Sequence, residues 1–267
     1  MSVAPVSSQP RRARVAIPSL WSLGAIAIAL VVILPIASVV WLALFPENNI
    51  WPHLISTTLP RYLKNTAILM ICVGGLAGLI GTGAAWLVAR YRFPGAGWIE
   101  WALLLPLAIP AYVGAYALVD LLEYAGPIQT ALRELMGWKN SRDYWFPEIR
   151  SLGAAVIVLA AALYPYVYLL ARTAFREQPA SAEEVAMSLG SNAFQRFWRI
   201  GLPLARPAIA AGMAIVMMET VNDFGTVEFF AVQTLTTGIF SVWLDGSNAG
   251  GAAQIATVVL VLVVFLM

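Results

Sequence analysis

Long apolar runs separated by short polar connections constrain this chain more than any other feature. They cover about 20–45, 65–89, 98–122, 151–171, 204–222 and 252–267. A helix needs about 20 mostly apolar residues to cross a bilayer, and the first run exceeds the core of about 7 to 15 residues found in a signal peptide. The chain is therefore predicted to be an all-α membrane protein with about six transmembrane helices.

The composition favours a lipid bilayer as the surroundings of this chain and excludes other classes of protein. Hydrophobic residues make up 60% of the sequence and charged residues 11%, against about 25% charged in soluble domains. A net charge of +2 gives no electrostatic basis for binding nucleic acid. The sequence has one cysteine, Cys72, and one histidine, His53, so we expect no disulfide within the chain and assign no metal site.

Glycine and proline mark two of the apolar runs. Gly74 and Gly78 stand four residues apart in the second run, a spacing that predicts close packing against another helix. Pro106 and Pro110 interrupt the third run. A proline removes a backbone donor and leaves carbonyls to be satisfied by neighbours or water, so we expect this span to bend or to line a passage.

The polar interval 177–203 predicts a folded hairpin of two short amphipathic helices. The apolar residues of the first helix recur with helical spacing, at Ala182, Val185, Ala186 and Leu189. Ser181 is expected to cap this helix, with Glu184 three residues later completing a capping box. A unit this small cannot bury enough apolar surface to be a domain, so it needs other surfaces to lie on.

The turn and the second helix of the hairpin also have recognisable signals. Gly190 is expected to end the first helix in a left-handed conformation. Asn192, followed three residues later by Gln195, predicts a second helix start of the capping-box type. Leu202 and Pro203 are expected to end that second helix.

The hairpin resembles the cytoplasmic EAA loop of the membrane subunits of type I ABC importers. The resemblance rests on six residues at the spacing of that family: Glu184, Ala186, Gly190, Ile200, Leu202 and Pro203. It implies that residues 20–267 form a type I ABC importer transmembrane domain and that these six residues couple it to two ABC ATPase subunits. Val185 departs from the alanine usual in the family and adds bulk where an ATPase subunit would dock.

The chain lacks the Gly-Lys-Ser/Thr sequence of a nucleotide-binding loop, so we do not expect it to be an enzyme. The resemblance implies that ATP is bound by the partner subunits and that this chain carries no cofactor of its own. It also implies a periplasmic substrate-binding protein, a second permease half and a bacterial inner membrane location.

Several stretches resemble ferric-iron ABC permeases in particular. They are residues 145–152, 163–168, 218–228 and 234–243, and with the hairpin they extend the resemblance over most of 120–254. The resemblance implies an importer for ferric iron. Thiamine, a polyamine or an oxyanion remains the alternative cargo, and an ion-driven secondary transporter or a membrane scaffold without transport remains the alternative class.

Polar residues at the end of the fifth span are candidates for a translocation path. Glu219 and Asp223 lie four residues apart on one helical face, Asn222 lies between them, and Glu228 follows a glycine break. A carboxylate at the bilayer centre costs about 2.5 to 3.5 kcal/mol, so such groups usually face protein or water. The alternative is structural: Glu219 pairs with an arginine of a neighbouring helix, and Asp223 caps the next segment.

The distribution of basic residues predicts the orientation of the chain. With the N-terminal tail 1–19 in the cytoplasm, ten of the sixteen Lys and Arg residues fall on the cytoplasmic side. Basic residues favour that side, and the hairpin falls there as well. Because the last apolar run continues to Met267 and only one EAA-like stretch is present, we also expect the first half of a longer fused permease or a half that pairs with another.

Overall fold

The computed structural model describes residues 20–267, and the predicted tail 1–19 lies outside them. The α-helices, in chain order, are α1 Leu20–Leu44, α2 Trp51–Ser56, α3 Leu59–Arg90, α4 Ala96–Ala102, α5 Ala111–Leu122, α6 Pro127–Met136, α7 Leu152–Glu177, α8 Ala180–Ser188, α9 Ala193–Arg196, α10 Leu202–Asn222, α11 Gly225–Phe229, α12 Leu235–Phe240 and α13 Ala249–Leu266. No strand occurs in these residues, which confirms the all-α prediction.

Five helical stretches in the described residues are long and apolar enough to cross a membrane. They are α1, α3, α7, α13 and the continuous stretch Ala193–Asn222 that contains α10. A bent pair of helices makes a sixth candidate span. The helix α3 begins earlier than the predicted start at 65, and α7 extends beyond the predicted end at 171, because both continue past the apolar run into polar residues.

The third predicted span is not one continuous helix. The segment Ala96–Ala108 and the segment Ala111–Met136 meet at an angle of 87°. Between α4 and α5 the chain forms a single 3₁₀ turn, Leu105–Ala108, and Pro110 adopts an extended conformation. Two prolines four residues apart remove two backbone donors, so the α-helix cannot continue through them. The predicted bend is confirmed, and it is sharper than a kink in a continuous helix.

Helices α3, α7 and α10 pack on one another and form the main core. A Cβ atom added at Gly81 of α3 would lie 2.8 Å from the carbonyl oxygen of Tyr164, so these two backbones are nearly in contact. Cβ atoms at Gly74 and Gly78 would meet Met217 and Met213 of α10. The predicted packing role of Gly74 and Gly78 is therefore confirmed.

Helix α1 lies apart from this core. It packs on α13, and none of its residues is buried within the chain. A smaller apolar cluster, which includes Leu54, Leu235 and Ile255, joins α13 to the ends of α3 and α10. The main core, not α1, therefore positions the candidate site residues.

The bundle has two distinguishable ends. Arg90 at the end of α3, Gln178 after α7 and Gly201 before α10 meet at one of them. We call this the hairpin end, because the predicted hairpin, 177–203, lies there. At the opposite end the Asn65 side-chain amide donates to the carbonyl of Gln233 at 2.8 Å.

Candidate functional site

The first helix of the hairpin is present, but its predicted cap is wrong. Helix α8 begins at Ala180, its N-cap residue is Pro179, and no side chain caps it. Because Pro179, with φ near −63°, takes the N-cap position two residues before Ser181, Ser181 lies inside the first turn. Ser181 therefore cannot form the predicted capping box with Glu184.

The turn between the two helices forms as the sequence predicts. Gly190 has φ of +78°, in the left-handed region, and its N–H donates to the carbonyl of Met187 at 2.9 Å. Asn192 and Gln195 then form a reciprocal capping box at the start of α9, with side-chain to backbone bonds of 2.8 and 3.2 Å. Both predictions are confirmed.

The predicted end of the second helix at Leu202 and Pro203 is wrong. The chain continues from α9 through a π-helical turn, Phe197–Gly201, directly into α10. Pro203 lies in the first turn of α10, where the missing N–H of a proline costs little. The wider π turn connects α9 to α10 without a break in the helix, so the hairpin is joined directly to a membrane-spanning helix.

The root of the hairpin is fixed on two other spans. The side chain of Gln178 accepts a hydrogen bond from the Arg90 guanidinium at 2.7 Å and donates to the carbonyl of Gly201 at 2.9 Å. Phe197 packs edge-on against Trp86, with ring centroids 5.2 Å apart. A Cβ atom at Gly201 would lie 2.4 Å from that same indole, so only glycine fits here. No local signal in the sequence predicts this junction, because it joins three separate stretches.

The hairpin exposes much of the apolar surface that its sequence pattern had assigned to a packed face. Ala186 is buried, but Val185 is exposed and Leu189 has 79% of its surface exposed. Phe194 and Trp198 of the second half are exposed as well. Glu184 and Gly190 are exposed, whereas Ile200, Leu202 and Pro203 are partly buried at the root. The exposed apolar side chains form a surface that the described chain leaves uncovered.

A second candidate site is a cavity of about 380 Å³ at the break in the third span. Its walls come from three stretches: the break itself, one face of α7 and the end of α10. The lining residues include Pro106, Leu107, Pro110, Tyr112, Leu163, Tyr166, Glu219, Asn222 and Asp223. Its only charged lining residues are the carboxylates Glu219 and Asp223, and no Lys, Arg or His of the described chain lines it.

The two carboxylates of the cavity are held differently. One oxygen of Asp223 accepts from the backbone N–H groups of Thr226 and Val227 at 3.0 and 3.1 Å, and the other accepts from the hydroxyl of Thr226. Asp223 therefore stabilises the first turn of α11, as the structural alternative predicted. Glu219 is exposed to the cavity and forms no ion pair with any residue in 20–267.

The structure brings together three of the four residues predicted for a translocation path. Glu219, Asn222 and Asp223 line the same cavity, whereas Glu228 is exposed on α11 and does not line it. Asn222 also lines an apolar groove between α1 and α13. Sequence reasoning missed the other walls of the cavity, although Pro106 and Pro110 signalled that the third span was irregular.

The described chain is thus an all-helical bundle with candidate membrane spans, a mostly apolar cavity that contains two carboxylates, and an exposed helical hairpin. Residues 77–267 match the family described as "Binding-protein-dependent transport system inner membrane component". The chain belongs to this family, and it is a multi-pass inner-membrane permease of the ABC importer class.

Curated relatives within this family differ in what their names say they transport. The chain is 30% identical over 206 residues to the Fe(3+)-transport system permease protein FbpB 2 of Haemophilus influenzae, an alignment of 76% of this chain and 36% of that protein. It is 27% identical over 239 residues to the sulfate permease CysT of Escherichia coli, covering 87% of this chain and 83% of CysT. The putative molybdenum permease YvgM of Bacillus subtilis is 29% identical over 73% of this chain and 82% of its own length.

Solved structures share the fold at low sequence identity. A bacterial ABC transporter involved in the import of alginate matches with a TM-score of 0.68 and 18% identity, over 92% of this chain and 93% of the other. The MetNI methionine ABC transporter matches with a TM-score of 0.59 and 16% identity, over 79% of this chain and 92% of the other. These matches support the transmembrane fold of an ABC importer.

Proposed function

We propose that this chain is the permease subunit of an ATP-driven importer and that the hairpin is its docking surface for a separate ATPase. Two ABC ATPase subunits bind ATP and drive the cycle, and this chain contributes no catalytic residue and no cofactor. A periplasmic substrate-binding protein delivers the cargo to the end opposite the hairpin, and a second permease half completes the passage.

The observation that carries this proposal is the exposed apolar surface of a well-defined hairpin. Val185, Leu189 and Trp198 are exposed, yet the local structure around them is fixed by the capping box and the left-handed turn. Exposed apolar groups on a rigid element favour association with a partner protein. The root at Gln178 and Gly201 joins this surface to α3, α7 and α10, so movement of a docked partner is transmitted to the spans.

The charge distribution supports a cytoplasmic position for the hairpin end. Basic residues concentrate there, at Arg90, Arg92, Arg172, Arg176, Arg196 and Arg199. Short loops rich in Arg and Lys favour the cytoplasmic side of a bilayer. This orientation puts the N-terminal tail and the hairpin on the side where ATP is available.

The cavity favours a cationic cargo, and ferric iron is the cargo we propose. Its charged lining consists of Glu219 and Asp223 alone, and carboxylate oxygens suit a hard cation. An oxyanion such as sulfate or molybdate would meet two negative charges and no positive partner from the described chain. Because Asp223 is already committed to α11, Glu219 is the residue free to meet the cargo as it passes.

The test is the neutral, nearly isosteric variant Glu219→Gln in the assembled transporter. Loss of this charge is expected to lower uptake of radiolabelled ferric iron about tenfold, the equivalent of about 1.4 kcal/mol. Glu134→Gln makes the same change on the exposed surface of α6 and is the matched control, with uptake expected to be unchanged.

The same variant distinguishes the two classes of cargo by the sign of its effect. Removal of a negative charge from the path of an oxyanion lowers the repulsion, so sulfate or molybdate uptake would rise or stay constant. Iron uptake that is equal in the Glu219→Gln variant and the parent would contradict the proposed cargo. If the transporter takes up sulfate or molybdate, and this uptake increases in the variant, the cargo is an oxyanion and not ferric iron.

A further inference from the structure

One stripe of α7 meets the broken third span along its length. Tyr164, Tyr168, Arg172 and Arg176 follow one another at intervals of four residues, and we call them the α7 stripe. The Tyr164 hydroxyl donates to the carbonyl of Leu103 at 2.9 Å, and the Tyr168 hydroxyl donates to the carbonyl of Glu100 at 3.2 Å. The two arginines pair with the carboxylate of Glu100.

The two carbonyls need these hydroxyls because the helix breaks beside them. In an α-helix the N–H of Leu104 would donate to Glu100, but here it donates to the carbonyl of Trp101 at 3.0 Å. The N–H of Leu107 likewise turns away from Leu103 to the carbonyl of Leu104 at 3.0 Å. Lipid supplies no replacement donor, so a neighbouring helix must satisfy the freed carbonyls.

The carboxylate of Glu100 gives the same stretch an ionic attachment. The side chains of Glu100 and Arg172 are each only 19% exposed, and Arg176 donates to the second carboxylate oxygen at 2.8 Å. A carboxylate shared between two guanidinium groups is fixed in direction. The α7 stripe therefore holds both the backbone and the side chain of one short stretch of α4.

The stretch that α7 holds is followed directly in the chain by residues of the cavity wall. The held stretch ends at Leu103, and the following residues Pro106, Leu107 and Pro110 form one wall of the cavity with Glu219. On α7, Tyr166 lies between Tyr164 and Tyr168 in sequence and lines the same cavity. One helix thus supplies one wall directly and anchors another.

We propose that Tyr164 and Tyr168 are positioning residues for transport, which fix the broken third span on α7 and so set the wall that this span contributes to the cavity lined by Glu219. Their hydroxyls replace the missing helical hydrogen bonds, and Glu100 with its two arginines locks the same contact at the hairpin end. The inference rests on the proposed transport function, but the position of the wall can be measured without knowing the cargo.

The test uses the double variant Tyr164→Phe with Tyr168→Phe, which removes two hydroxyl groups and keeps both rings. In a Cys72→Ser background of the assembled transporter, Leu107→Cys reports on the wall through its rate of modification by a water-soluble maleimide. Without the hydroxyls the break is free to move, so this rate is expected to rise about fivefold. A change of this size is typical of the loss of a hydrogen bond. Uptake of ferric iron is expected to fall to a similar extent.

Tyr116→Phe is the matched control, because it makes the same chemical change on α5 at a hydroxyl for which the described chain shows no hydrogen bond. Its maleimide rate and uptake are expected to equal those of the parent. A double variant with an unchanged maleimide rate at Leu107→Cys would overturn the proposal, whatever happens to uptake. A faster rate in a transporter that takes up no iron even in the parent would support the positioning role and reject the proposed cargo instead.

Discussion

The hairpin and the acidic cavity are built in different ways. The hairpin is made by contiguous residues, and its turn is held by local bonds such as that from the N–H of Ser191 to the carbonyl of Ala186 at 3.0 Å. The cavity is assembled from three stretches that are distant in sequence, the break after α4, the middle of α7 and the end of α10. A local site of the first kind can be recognised from spacing, whereas a site of the second kind depends on the whole fold.

The two regions also differ in what they expose. The hairpin exposes apolar side chains such as Leu189 and Trp198, and the cavity exposes the carboxylate of Glu219. Apolar exposure on a polar segment suits a stable protein partner, and a carboxylate that forms no ion pair within the described chain suits a transient cation. We therefore expect hairpin variants to affect subunit assembly and cavity variants to affect passage of the cargo.

The largest expected effect is that of Gly190→Asp, which should abolish uptake and leave membrane insertion intact. The variant forces a side chain into a left-handed turn and adds a charge to the docking surface. No atom of the described chain lies within 4 Å of the Cβ position, so the fold itself has room for the new side chain. The measurements are uptake and copurification of the ATPase subunit.

Gly137→Asp is the control for that experiment. Gly137 also has a left-handed conformation, with φ of +71° and open space around its Cβ position, but it follows α6. The ATPase subunit should copurify normally with this variant. If both glycine variants lost the ATPase equally, backbone strain and not the docking surface would be the cause.

A smaller effect is expected for Leu189→Ser, which should weaken binding of the ATPase subunit about tenfold, the equivalent of about 1.4 kcal/mol. Because Leu189 is exposed, the thermal stability of the isolated chain should not change. Leu135→Ser, at an equally exposed leucine on α6, serves as the comparison and should leave ATPase binding unchanged. A Leu189→Ser variant that unfolds at lower temperature would show that this side chain supports the fold and not a partner.

Much of this structure could be predicted from the sequence where the cause is local. Apolar runs located the spans, and Gly190 and the Asn192–Gln195 pair located the turn and the second helix of the hairpin. The prolines of the third run indicated a bend. These signals act within a few residues, so they need no knowledge of the tertiary structure.

Some features could not be predicted, either because a neighbouring residue prevailed over the expected signal or because the feature depends on contacts between distant stretches. Pro179 takes the cap position expected for Ser181, and the π turn Phe197–Gly201 joins α9 directly to α10, so the helix does not end at Pro203. Glu219 was recognisable as unusual, but its place in one cavity with the break and with α7 follows only from the tertiary packing. Spacing also left open whether Asp223 lines a path or caps a helix; the structure shows that it holds the first turn of α11 and that it lines the cavity.

The last variant tests the stability of the bundle through the close packing of α3 on α7. Gly81→Ala places a methyl group against the backbone of α7, which cannot yield as a side chain can, so we expect a loss of about 1 to 3 kcal/mol in stability. Gly83→Ala, two residues along the same helix, meets open space and should be neutral. Thermal unfolding of the purified chain in detergent measures both, and equal changes would contradict the close approach of α3 and α7.

The most direct test of the docking role is a cross-link from the hairpin. Met187 is exposed on α8, and Met187→Cys in a Cys72→Ser background places a single thiol on the proposed surface. A thiol-reactive cross-linker should join this cysteine to the ATPase subunit, and a reagent confined to the periplasm should leave it unmodified. Modification of Met187→Cys from the periplasmic side, with no cross-link to an ATPase, would contradict the account.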